Sequence, residues 1–174
     1  MRQSFTVVVA FAVLFSIGGA SHAQSRAFAK GKPPSPTIFL GKTFQECEKT
    51  FGKPKRIDPA KQDEGEIRYY KSANPNLVRV LLYAATPRYY NGRFPNDVVV
   101  EVEYQLPNRV KSWQAAFSTL GLDSKSVRAT QVTRRDGSLD SWQLETDLRV
   151  EKQHDVYVRS SPDGQKLSFQ YKPR

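Results

Sequence analysis

The sequence predicts an α+β fold: an antiparallel β-sheet with two short helices packed on one face. Three observations carry this. Two apolar stripes at helical spacing each end in Gly, at Gly52 and Gly121. Between and after them run segments that alternate apolar and polar residues, the period of a half-buried strand. Turn chemistry separates those segments, most clearly at Pro162-Asp163-Gly164.

The chain has three parts: residues 1–23, a signal peptide; 24–37, a flexible basic Pro-rich linker; and 38–174, one domain. Arg2 supplies the positive n-region and residues 6–17 an apolar run of h-region length. Ser21-His22-Ala23 offers small residues for cleavage before Gln24. The apolar run is shorter than the roughly 20 residues of a membrane span. The expected address is therefore periplasmic or secreted, with no transmembrane anchor after cleavage. Pro33, Pro34 and Pro36 make the linker extended, because Pro fixes φ and donates no backbone hydrogen bond.

In the domain, Thr43 and Glu46 form a capping-box pattern. Phe44, Cys47 and Phe51 share one helical face, and Gly52 and Pro54 stop the helix. Strands are expected over 66–71 and 77–84. The clearest covers 97–106, with Val98, Val100, Val102 and Tyr104 on one face and Glu101, Glu103 and Gln105 on the other. Asn108 is the expected cap of a second helix with the stripe Val110, Trp113, Phe117 and Leu120. Further strands are expected over 127–134, 141–146, 155–159 and 166–172, the last two joined by the Pro162-Asp163-Gly164 hairpin. An echo runs through this order. Helix–Gly leads to strands ending Glu103-Tyr104-Gln105-Leu106-Pro107, and again to Phe169-Gln170-Tyr171-Lys172-Pro173. It suggests two tandem α-βββ units.

Composition bounds the function. The chain carries +10 net charge. Residues 24–61 hold nine Lys or Arg against three Asp or Glu, so the N-terminal part carries most of the field. That favours an anionic cell-envelope component or a protein as partner. The export signal argues against nucleic acid. Cys47 is the only cysteine, which excludes an intrachain disulfide. Cys47 and His154 are formally a nucleophile and base, but Cys47 sits on an apolar helix face as a small hydrophobe. Glu101 and Glu103 could form a carboxylate pair for glycoside hydrolysis, yet alternate Glu residues on a wet face ordinarily just solvate it. No metal-ligand spacing and no Gly-rich phosphate loop is present, so no cofactor and no catalytic residue is assigned.

The binding candidate is the loop over 86–96. Arg88, Tyr89, Tyr90, Arg93 and Phe94 crowd between two strands, and Tyr and Arg dominate interaction hot spots. The reading is an exported, soluble, non-catalytic binding or protein-interaction module of the cell envelope. The alternatives are a small periplasmic hydrolase and an envelope structural or stress protein.

The run Gly41-Lys42-Thr43-Phe44 through Phe51-Gly52-Lys53-Pro54 resembles exported proteins of the SmpA/OmlA type. Their fold is similar to that of the β-lactamase inhibitory proteins, which contain two such units in tandem. The resemblance implies an envelope protein working by contact. It departs where a lipoprotein needs Cys after the cleavage site, because Gln24 stands there and Cys47 lies too far downstream.

Overall fold

The computed structural model describes residues 33–61, 65–72, 74–86, 95–150 and 154–171. Its strands are β1 (Arg56–Asp58), β2 (Ile67–Lys71), β3 (Arg79–Ala84), β4 (Val99–Gln105), β5 (Arg128–Thr133), β6 (Leu139–Glu145), β7 (Arg149–Val150), β8 (His154–Ser160) and β9 (Lys166–Tyr171). They form one antiparallel sheet in the order β1-β2-β3-β4-β9-β8-β6-β5, with β7 paired to β8. The helices are α1 (Phe44–Phe51) and α2 (Trp113–Leu120), eight residues each.

The α+β expectation is thereby corrected. Among the described residues two helices of little more than two turns stand against nine strands, so the sheet predominates. The tandem α-βββ division is corrected with it. Each helix leads into four strands of the main sheet, β1–β4 and then β5, β6, β8 and β9. The last strands of the two runs, β4 and β9, pair at the centre of the sheet. β1 carries too few residues to alternate, and β7 continues the edge of β8 after the chain leaves it at Glu145.

α1 is capped as its sequence requires. Thr43 Oγ1 accepts from the Glu46 N–H, and Glu46 reaches back to the Thr43 N–H at 2.8 Å. Gly52 ends it at φ 72°. α2 begins later than expected. Ser112, not Asn108, is its cap, so Val110 is buried on the preceding turn. Gly121 closes it in the left-handed region, as Cβ-free backbone allows.

The core lies between the helices and one sheet face. It contains Phe44 and Cys47 from α1, Trp113, Ala116, Phe117 and Leu120 from α2, and Val80, Leu82, Val102, Tyr104, Val158, Leu167 and Phe169 from the sheet. Full burial of each large apolar side chain contributes roughly 1.5–3 kcal/mol. Arg68 fastens α1 to β2: it ion-pairs Glu48 and Glu66 and lies 4.1 Å over the Phe44 ring. A register shift at Tyr83 and Ala84 sets Val99 opposite Ala84. The strict alternation expected over 97–106 breaks there, and Val98, Val99 and Val100 are all buried.

Residues 24–32 of the expected linker and the signal segment lie outside the described residues. Pro33 and Pro36 are buried, and the Pro34 carbonyl accepts a 2.8 Å hydrogen bond from the Tyr104 hydroxyl.

Candidate functional site

Both helices cover the same sheet face. The opposite face is free of helices among the described residues. Directly paired residues of an antiparallel sheet share a face, so the register sorts that surface into three cross-strand rows.

The first row is Lys71, Arg79, Gln105 and Lys166. The second is Arg56, Tyr69, Leu81, Glu103, Ser168, Arg159, Gln143 and Thr130. The third is Asp58, Ile67, Tyr83, Glu101, Gln170 and Tyr157. The rows run from a cationic end, through an acidic centre, to rings on both flanks.

The centre holds a cleft of about 500 Å³ lined by Glu101, Glu103, Gln143, Tyr157, Arg159, Ser168 and Gln170 among others. Ser168 Oγ donates to Glu101 Oε1. Burial raises the Glu101 carboxyl above its ordinary range; the Ser168 bond opposes this and the Glu103 charge adds to it. Burial likewise pushes the Tyr83 phenol up, with the negative neighbours Glu103 and Glu101 reinforcing it. Glu101 was expected to solvate a wet face. It is half-buried instead, because the broad sheet shields its central strands on both sides.

Glu101 and Glu103 do not form a glycosidase pair. They leave one strand in one direction, side by side. Two carboxylates that cleave a glycosidic bond must approach it from opposite faces.

At the cationic end, Arg56 holds Asp58 through two bonds of 2.6 and 2.7 Å and lies 4.8 Å from the Tyr69 ring centre. The Tyr69 hydroxyl donates to the same carboxylate at 2.8 Å. These bonds hold the Asp58 carboxyl below its usual range. A second cleft of about 440 Å³ opens beside them.

Arg88, Tyr89, Tyr90, Arg93 and Phe94 all lie outside the described residues. The base of their loop is firmly built. Ala85 N–H bonds the Val98 carbonyl at 2.8 Å, Val98 N–H bonds Pro95, and Phe44 N–H bonds Asp97. The loop thus leaves the sheet from the β3–β4 hairpin, at the end that carries Tyr83 and Glu101.

Cys47 is buried, and its Sγ faces the Phe39 carbonyl at 3.9 Å. Burial pushes its thiol up to about 12, the reverse of what a nucleophile needs. His154 packs edge-on against Tyr171 at 5.2 Å. The two do not form a catalytic pair. Among the described residues no group of three or more His, Cys, Asp or Glu is placed to hold a metal ion. No described helix is long and apolar enough to cross a membrane.

Sequence reasoning missed Tyr69, Tyr83 and Tyr157. Their signal was present. Each is a large side chain on the strand phase opposite to the core residues beside it, such as Leu82 and Ala84 around Tyr83.

No protein-family model matches the chain, and no curated protein matches it. Three solved structures are similar at low identity. A DUF4309-family protein of Bacillus subtilis, YjgB, aligns at 14% identity and TM-score 0.44, over 88% of this chain and 96% of that one. A cysteine-rich secretory protein of Staphylococcus aureus aligns at 16% and 0.37, over 81% of this chain and 46% of that one. An extracellular protein containing an SCP domain, from Bacillus anthracis, aligns at 10% and 0.40, over 81% and 47%.

Proposed function

We propose that this chain is an exported binding module of the cell envelope that receives a partner protein on its helix-free sheet face. The observation that supports it is the placement of Tyr69, Tyr83 and Tyr157 on that face, among charged and amide side chains. Tyr157 is 42% exposed. Tyrosines combine large apolar contact with a directional hydroxyl, which is why interfaces enrich them. The dimensions also suit. The rows hold 18 residues, each covering about 4.8 by 7 Å, which gives roughly 600 Å². A standard interface takes about 800 Å² from each partner.

The proposal keeps Arg88, Tyr89, Tyr90, Arg93 and Phe94 as candidate partner contacts on the strength of their composition alone. The pattern shared with SmpA/OmlA-type proteins at Gly41–Pro54 is in keeping with an exported protein that works by contact. Export itself rests on residues 1–23. Mass spectrometry of the exported protein is expected to find Gln24 as its first residue; retention of Arg2 would overturn the address.

Site-specific photocrosslinking tests the binding reading in cells. A benzophenone side chain at position 157 or 143, both exposed on the open face, is expected to give discrete adducts with a partner protein. The same group at Gln45 or Gln114, exposed on the helices, is expected to give none. Adducts from the helix positions alone, or none from the sheet face, would refute the proposal.

A further inference from the structure

At the cationic end of the open face, Lys55, Arg56, Lys71 and Arg79 surround the 440 Å³ cleft, with Tyr69 and Gln105 in its lining. We propose that this corner is a binding site for a phosphoryl group, on a soluble phosphate compound or on a lipid headgroup.

Three observations carry this. First, the cations are uncompensated. Asp58 neutralises Arg56, but among the described residues Lys55, Lys71 and Arg79 have no acidic partner. Second, folding places like charges against each other. Lys71 is directly opposite Arg79 in the β2–β3 ladder, an arrangement that destabilises a sheet unless something offsets it. A bound anion does so. Third, both arginines are already oriented. Arg56 is held by Asp58 and the Tyr69 ring. Arg79 donates one N–H to the Gln105 side-chain oxygen, leaving the rest of its fork for a ligand. A guanidinium fork matches phosphate oxygens two at a time, and lysines add point charge around them. A site offering several cations at once suits a multiply charged phosphate better than a single carboxylate.

This site shares Tyr69 with the proposed partner-binding face, and its test uses the purified protein without a partner, so the two readings can fail independently. Titration calorimetry with pyrophosphate is expected to show binding that weakens with salt. The Lys71→Ala/Arg79→Ala protein is expected to lose at least tenfold in affinity. A charge-matched control, Lys49→Ala/Lys125→Ala, is expected to stay within twofold. Without ligand, the Lys71→Ala/Arg79→Ala protein is expected to melt no lower than the parent, which separates lost binding from lost folding. Vesicles of phosphatidylglycerol in phosphatidylcholine, against phosphatidylcholine alone, form the second arm. Capture that requires Lys71 and Arg79 identifies a headgroup as the source, and pyrophosphate binding without capture identifies a soluble phosphate. Equal losses in the two double variants would replace the site by diffuse basicity. Failure of both probes at millimolar concentration would also overturn it.

Discussion

Glu101→Gln is the substitution that best separates what the sheet face does for folding from what it does for binding. Glutamine has the size of glutamate and keeps an oxygen for the Ser168 hydroxyl. It removes one charge from a half-buried place. Glu101 and Glu103 stand two residues apart on one strand, roughly 7 Å between attachment points. At an effective dielectric of 20 their repulsion is about 2 kcal/mol, and screening at physiological salt reduces it to about 1 kcal/mol. Arg159 attracts Glu101 and offsets part of this. The expected gain in stability at pH 7.5 is therefore about 0.5–1 kcal/mol, a rise of roughly 1–4 °C in Tm for a chain of this size. The pH dependence follows from the raised carboxyl. Its ordinary value is 4.5 and the folded value lies higher. The parent keeps its full stability below 4.5 and loses part as pH rises through the folded value. The two proteins should melt alike at pH 4 and diverge by pH 7.5, as differential scanning fluorimetry would record. A fall of 1 kcal/mol or more on substitution would refute the reasoning, since the charge would then be serving the fold. In the photocrosslinking assay the same variant should lower adduct yield at position 157, because Tyr157 and Glu101 line one cleft.

Three further outcomes are expected. The Cys47 thiol, buried and pushed up to about 12 from 9.0, should react with a thiol reagent roughly a thousand times more slowly than an unfolded cysteine at pH 8, and promptly in denaturant; fast native labelling would remove it from the core. Gly164→Ala should cost more than about 2 kcal/mol in urea unfolding, because Gly164 lies at φ 76° and an added Cβ would sit 2.3 Å from the Ser112 carbonyl group; a loss under 1 kcal/mol would mean the 161–165 turn does not pack on the cap of α2. Tyr89→Ala and Tyr90→Ala should each weaken partner capture by about 2 kcal/mol with Tm nearly unchanged; a large drop in Tm would make those rings packing groups.

The legible parts of the fold are those set by local chemistry. Thr43 and Glu46 cap α1, Gly121 ends α2, and Pro162-Asp163-Gly164 turns β8 into β9. Each depends on contacts within a few residues, so each can be read from the chain alone. What was not legible depends on pairing at long range. β1 is a strand only because β2 lies beside it. The register shift opposite Val99 exists only in the ladder with β3. The start of α2 moved to Ser112 because Val110 packs as a turn residue, although its spacing fits the helical stripe. The candidate site followed the same rule. The Arg88–Phe94 loop drew notice because its residues adjoin in sequence. Tyr69, Tyr83 and Tyr157 come from three strands and share a face only through the pairing of the sheet.

That arrangement bears on why the open face has the composition it has. A helix of eight residues is about 12 Å long. Two of them roof the centre of one sheet face and cannot cover both. The other face must then remain wettable without a partner, or the free chain would associate through it. Isoleucine and valine in place of Tyr69, Tyr83 and Tyr157 would break that condition, and lysine would remove the contact area. Tyrosine meets both demands, as do Gln143 and Gln170 between the charges. The basic corner at Lys71 and Arg79 cannot be explained in this way. Wettability needs charges of mixed sign spread apart, and lysine opposite arginine sets two of the same sign together. A property that solubility does not require, and that the isolated fold disfavours, points to what the corner holds.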